Sequence, residues 1–151
     1  GKSSIADFYF QILSFNFKKV ASIGTIGLRY KDKKKSLLNT TIDPIQLGSI
    51  LNFLKKKKIE NVILEASSHG LKQNRLDGLS FDISIFTNLS HDHLDYHKTM
   101  KDYFNSKLYL FKKLIKKKGS IITPNIPPRF PIDIAFPLFS PKYLVIEVIP
   151  A

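Results

Sequence analysis

Short apolar runs alternate along this chain with longer stretches of helical period, and this alternation constrains the fold more than any other feature. Val20–Ile23, Val62–Leu64 and Ile83–Phe86 are brief, β-rich and nearly continuous. They suit strands buried on both faces; Ser120–Thr123 is a fourth candidate. Between them, Ser3–Phe15 reads as a helix. So does Pro44–Leu54, with Asp43 as N-cap and Pro44 at the first helical position. Thr99–Ile115 is the clearest helix: Thr99 and Asp102 resemble a capping box, and apolar residues recur at three- and four-residue steps. Helices between buried strands predict an α/β fold, a mostly parallel sheet flanked by helices with right-handed crossovers. In such sheets ligands gather at the carboxyl ends of the strands.

The 151 residues suffice for one domain with a real core, and 43% of them are hydrophobic. We expect that domain over residues 1–125. Over 126–151 the prolines Pro127, Pro128, Pro131, Pro137, Pro141 and Pro150 break any period, although Tyr143–Ile149 could form one more strand. No apolar run approaches the roughly 20 residues that span a bilayer. No signal peptide is recognisable, and the absence of cysteine fits a reducing cytoplasm. Gly1 in place of Met is expected of a segment taken from something longer. A monomer is expected.

The formal charge of +12 raises the possibility of a nucleic-acid-binding module. The kind of cation argues against it. Arginine occurs only at Arg29, Arg75 and Arg129, and bidentate base readout prefers arginine to lysine. The runs Lys33–Lys35, Lys55–Lys58 and Lys116–Lys118 read as helix ends or loops on a solvated face. They could still gather polyanionic substrates by long-range attraction.

Four features carry chemistry. Gly1-Lys2-Ser3-Ser4 has the form of the last part of a phosphate-binding P-loop, in which backbone N–H groups cradle phosphates, lysine reaches the terminal ones and the hydroxyl holds Mg²⁺. A plain solvated terminus is the alternative. Glu65 directly follows Val62-Ile63-Leu64, where a strand-end carboxylate reaches a phosphate-bridging cation or is simply an ordinary strand-end acid. The stretch from Thr87 to His97 holds three of the four histidines, His91, His93 and His97. It suits an ATP/Mg²⁺ loop, with a structural zinc site or a polar loop as rivals. Lys107 lies in line with Tyr103, Leu110 and Leu114 on an otherwise apolar stripe. It is either a lysine snorkelling at the stripe's edge or a partly buried amine, whose lowered pKa permits carbamate formation with CO₂.

Together these segments resemble the Mur ligases, the MurE branch most closely, almost without gaps from Gly1 to about Thr123. The resemblance is carried by Gly24-Thr25-Ile26-Gly27, Asn39-Thr40-Thr41, Glu65-Ala66-Ser67-Ser68-His69-Gly70-Leu71, Gln73 with Arg75, the run Phe86–His97, and Tyr103–Phe111. It implies a P-loop-type central domain of an ATP-dependent, ADP-forming ligase of peptidoglycan synthesis. Such an enzyme adds an amino acid to UDP-MurNAc-L-Ala-D-Glu through an acyl phosphate. It implies ATP at Gly1, Lys2, Ser3 and Ser4; Mg²⁺ at Ser3, Glu65, His93 and a carbamylated Lys107; and the muramoyl dipeptide at Asn39, Thr40, Thr41, Ser67, Gln73 and Arg75. Lys2, Glu65, His93 and Lys107 would act in catalysis. The added residue is diaminopimelate or lysine, with a lean to the former, and neither nucleic acid nor membrane is an expected partner. A folylpolyglutamate synthase-like ligase and a non-catalytic basic fragment are the competing functions. Thr41 is followed by Ile42 where the family has proline, the P-loop lacks its first half, and the segment beyond about Asn125 matches nothing in the resemblance. The chain alone is expected to be inactive.

Overall fold

A computed structural model describes residues 1–37, 41–87 and 94–123, together with the backbone of a strand at 143–147. The elements run α1 (Lys2–Phe15), β1 (Val20–Gly24), β2 (Gly27–Tyr30), β3 (Lys33–Lys35), α2 (Pro44–Lys56), β4 (Asn61–Ala66), α3 (Ser68–Lys72), β5 (Phe81–Phe86), α4 (Leu94–His97), α5 (Met100–Tyr109), a wide helical turn over Leu110–Leu114, β6 (Ile115–Ile122) and β7 (Tyr143–Glu147). They form a seven-stranded sheet of order β3-β2-β1-β4-β7-β5-β6. Strands β1, β4, β7, β5 and β6 are parallel, as the alternation predicts, and β2 and β3 extend one edge antiparallel.

Side-chain alternation along β4 divides the core. Val62, Leu64 and Ala66 join Leu47 and Leu54 of α2, Leu71 of α3, and Leu110 and Leu114 on one face. Ile63 faces the other way, where Ala6 and Phe10 of α1 pack with Val20, Ile83 and Ile85. Each fully buried side chain of leucine or phenylalanine size contributes about 1.5–3 kcal/mol. Glu65 has the parity of Ile63, which turns it towards α1.

The caps of α2 and α5 form as their residue types require. Asp43 Oδ1 accepts from the amides of Ile45 and Gln46 at 3.0 and 2.9 Å, and Thr99 Oγ1 from that of Asp102 at 3.1 Å. Elsewhere local pattern misleads. Lys33–Lys35 is an edge strand and not a helix end or loop; three exposed lysines there keep the sheet edge solvated. Lys116–Lys118 likewise falls within β6, which starts at Ile115 and not at Ser120. The long helix over Thr99–Ile115 divides: α5 stops at Tyr109 and the wide turn carries Leu110 and Leu114 into the core. The candidate strand at Tyr143–Ile149 is present as Tyr143–Glu147, in mid-sheet between β4 and β5.

Candidate active site at the carboxyl ends of β1 and β4

Glu65 stands at the end of β4 and is only 1% exposed. A buried carboxylate needs hydrogen-bond donors. Its Oε2 accepts from the Thr25 hydroxyl at 2.9 Å and the Ser3 hydroxyl at 3.2 Å. Thr25 leaves the end of β1, and Ser3 lies in the first turn of α1, where the helix dipole favours negative charge. Gly24 makes this approach possible: a Cβ there would come within 2.4 Å of Glu65 Cδ. Lys2 opens α1 beside Ser3, and Ser4 follows it on the exposed side.

A second set of bonds ties Glu65 to the loop before α2. The buried Thr41 hydroxyl donates to the Glu65 carbonyl at 3.3 Å and accepts from the Ser67 amide at 2.8 Å. Arg75 Nη1 donates to the Thr41 carbonyl at 2.7 Å. Ser67 is also the N-cap of α3, its hydroxyl accepting from the Gly70 amide at 3.1 Å. Gly70 must stay small, because a Cβ would sit 2.5 Å from Thr41 Cγ2. Ser3, Thr41, Glu65, Ser67 and Arg75, all singled out in the sequence, therefore share one connected network. Gln73 does not bond into it directly: as the C-cap of α3 it donates to Tyr96 OH at 3.0 Å, and the Tyr96 ring stacks on His69 with centroids 4.0 Å apart. Asn39, Thr40 and His93, with the rest of residues 88–93, lie outside the described residues.

Lys107 is 2% exposed, buried in line with Tyr103, Leu110 and Leu114. Its Nζ lies 4.7 Å from the centroid of the Tyr103 ring. A snorkelling side chain delivers its amine to water, and this one stays inside. On the same helix, Tyr109 donates to Asp77 Oδ1 at 2.7 Å, and that bond raises its pKa above the usual value.

The sequence gives no role to Thr25 or to the buried Ser68 and Ser106, and His97 enters it only as part of the histidine run read as an ATP/Mg²⁺ loop. A hydroxyl just past a strand end was the available signal for Thr25. No local signal marks Ser68 or Ser106, and the histidine run does not foretell that His97 lies between them. A cleft lined by Lys18, Lys19, Arg29, Lys31 and Lys33 opens at the amino end of β1, opposite the Glu65 network.

A parallel sheet with a helix N-terminus and a buried, hydroxyl-held acid at its carboxyl edge is the architecture of a phosphate-handling α/β domain. Residues 1–129 match the family described as Mur ligase middle domain, and the chain belongs to that family. Among its relatives, the UDP-N-acetylmuramoyl-L-alanyl-D-glutamate–2,6-diaminopimelate ligase of Wigglesworthia glossinidia brevipalpis is 46% identical over 114 residues, which are 76% of this chain and 23% of the relative. The enzyme of the same name from Leptospira borgpetersenii serovar Hardjo-bovis is 42% identical over 119 residues, 79% of this chain and 24% of that one. A solved structure of a ligase with this name superposes with a TM-score of 0.69 at 33% identity, covering 79% of this chain and 23% of the other. The chain thus spans about a quarter of the length of these relatives.

Proposed function

We propose that this domain is the ATP-binding part of a cytoplasmic, monomeric ligase that joins diaminopimelate to UDP-MurNAc-L-Ala-D-Glu in peptidoglycan synthesis. In this reading residues 1–125 are its body, and the segment 126–151 that follows returns Tyr143–Glu147 to the sheet between β4 and β5. The observation that carries the reading is the bonding of Glu65: its side chain meets the P-loop hydroxyl of Ser3, and its carbonyl meets Thr41, which holds Ser67 and Arg75. Phosphate-side and substrate-side residues are thus joined through a single residue.

The donor set suits Mg²⁺, a hard cation that prefers oxygen, since Ser3 and Glu65 present a hydroxyl and a carboxylate side by side. Ser3, Glu65, His93 and Lys107 as its carbamate would hold the metal, which when bound neutralises charge on the phosphates. The amides of Gly1–Ser4 and the ammonium of Lys2 draw the β- and γ-phosphates to the start of α1. Asn39, Thr40, Thr41, Ser67, Gln73 and Arg75 hold the muramoyl dipeptide, Arg75 pairing with an anionic group. The precursor's carboxylate then attacks the γ-phosphorus, ADP departs, and an acyl phosphate remains. The amine of the incoming amino acid attacks its carbonyl carbon and expels phosphate. These residues supply orientation and charge neutralisation, the two needs of phosphoryl transfer.

The test is phosphate release by a full-length ligase carrying this domain. Release should require ATP, the UDP-MurNAc-dipeptide and diaminopimelate together, with lysine a poor replacement. Equal release with lysine would correct the amino acid; release with a folate in place of the dipeptide would overturn the reading.

A further inference from the structure

The ligase reading gives His97 no role of its own, yet it is 0% exposed. It closes α4, with Nε2 2.9 Å from the Ser68 hydroxyl and Nδ1 3.5 Å from the Ser106 hydroxyl and 3.9 Å from the Asp102 carboxylate. The rings of His69, Tyr96 and Tyr103 wall it in, with centroids 5.5, 4.9 and 5.0 Å away. Ser106 decides the direction of these bonds. Its hydroxyl donates to the Asp102 carbonyl at 2.8 Å, so towards His97 its oxygen accepts. In the neutral ring with its proton on Nδ1, the tautomer these contacts favour, Nε2 accepts from Ser68.

The residues so joined flank the proposed site on two sides. Ser68 follows Ser67, whose amide is held by Thr41. Ser106 precedes Lys107, and Tyr103, packed on His97, also carries the Lys107 amine on its face. We infer that His97 is a positioning residue: through its bond to Ser68 it holds the start of α3, and with it Ser67, in register with the helix that bears Lys107. An apolar side chain could fill the same space, but only a directional acceptor sets the rotation of α3 against α5. The inference rests on the ligase reading, in which Ser67 contacts the muramoyl dipeptide.

The experiment uses the full-length ligase and separates KM for the dipeptide from KM for ATP. Ser68→Ala, which removes one buried oxygen, should raise KM for the dipeptide about tenfold, the loss of one hydrogen bond, and leave KM for ATP within about twofold. His97→Leu should match it, and the double variant should be no worse than His97→Leu, because both changes break one link. His97→Gln retains an acceptor for Ser68 and should recover KM for the dipeptide to within about threefold. An unchanged dipeptide KM in Ser68→Ala overturns the inference even if His97→Leu fails to fold. So does an equal rise in both KM values, which marks general damage. Wild-type enzyme that releases no phosphate with dipeptide and diaminopimelate defeats the ligase reading itself, a result separable from normal wild-type turnover with an unaffected Ser68→Ala.

Discussion

Glu65 and Lys107 are both ionisable and both almost wholly buried, but their surroundings differ in kind. Glu65 is met by hydroxyls from α1 and the end of β1, two separate chain segments converging on one carboxylate. Lys107 lies in line with the buried Tyr103, Leu110 and Leu114 of α5 and the turn that follows it, with its amine against an aromatic face. Neutral donors leave a carboxylate its charge while lowering the cost of burial, which is what a metal ligand requires. An aromatic face favours a cation through its quadrupole but offers no oxygen to a metal. If both residues serve one metal-dependent reaction, Glu65 can do so as it stands, whereas Lys107 must change sign. On that reading the first site is built by tertiary convergence, and the second would need covalent chemistry.

Removing the lysine is the severest test of that contrast. If the Lys107 carbamate holds the metal, Lys107→Ala in the full-length enzyme should lower kcat by about a thousandfold. Added short carboxylates should restore part of it. Depleting CO₂ should weaken the wild type reversibly, with labelled bicarbonate giving a carbamate carbon signal by NMR. Near-normal turnover of Lys107→Ala would leave the residue a buried ammonium and nothing more.

Glu65→Gln comes next. It keeps shape and hydrogen-bonding capacity but loses charge, so kcat should fall about a hundredfold while the melting temperature holds or rises, because burying a charge costs more than burying an amide. A matching fall in stability would show the carboxylate to be structural and erase the distinction from Lys107.

Arg75→Ala probes the substrate side of the Glu65 network and, acting on binding, should have the smallest effect of the three on kcat. Losing one charge-assisted contact should weaken dipeptide binding by about 1.5–3 kcal/mol and leave ATP binding intact, measurable by titration calorimetry. Equal losses for both ligands would mean that the bond to the Thr41 carbonyl supports the whole site.

Much of the fold was legible because periodicity is local. The runs at Val20, Val62 and Ile83 became parallel strands, and Asp43 and Thr99 became caps, since each depends only on neighbours within a few residues. The β2–β3 hairpin was not legible: three consecutive lysines carry no strand period, and only pairing with β2 makes them extended. The end of α5 was missed for a related reason. The apolar spacing continues through Leu110 and Leu114, and it is packing under the sheet that widens the turn there.

By itself the sequence determined the sheet-and-helix alternation, an acid at a strand end, and a lysine in line with apolar residues. All three follow from side-chain period and polarity along a short stretch of chain. Only the tertiary structure decided that Ser3, Thr25, Thr41 and Ser67 would meet around Glu65, that Lys107 would be enclosed, and that His97 would join Ser68 to Ser106. The bonds around Glu65 close loops of tens of residues, and their geometry depends on strand order and register across the sheet, which no local pattern along the chain specifies.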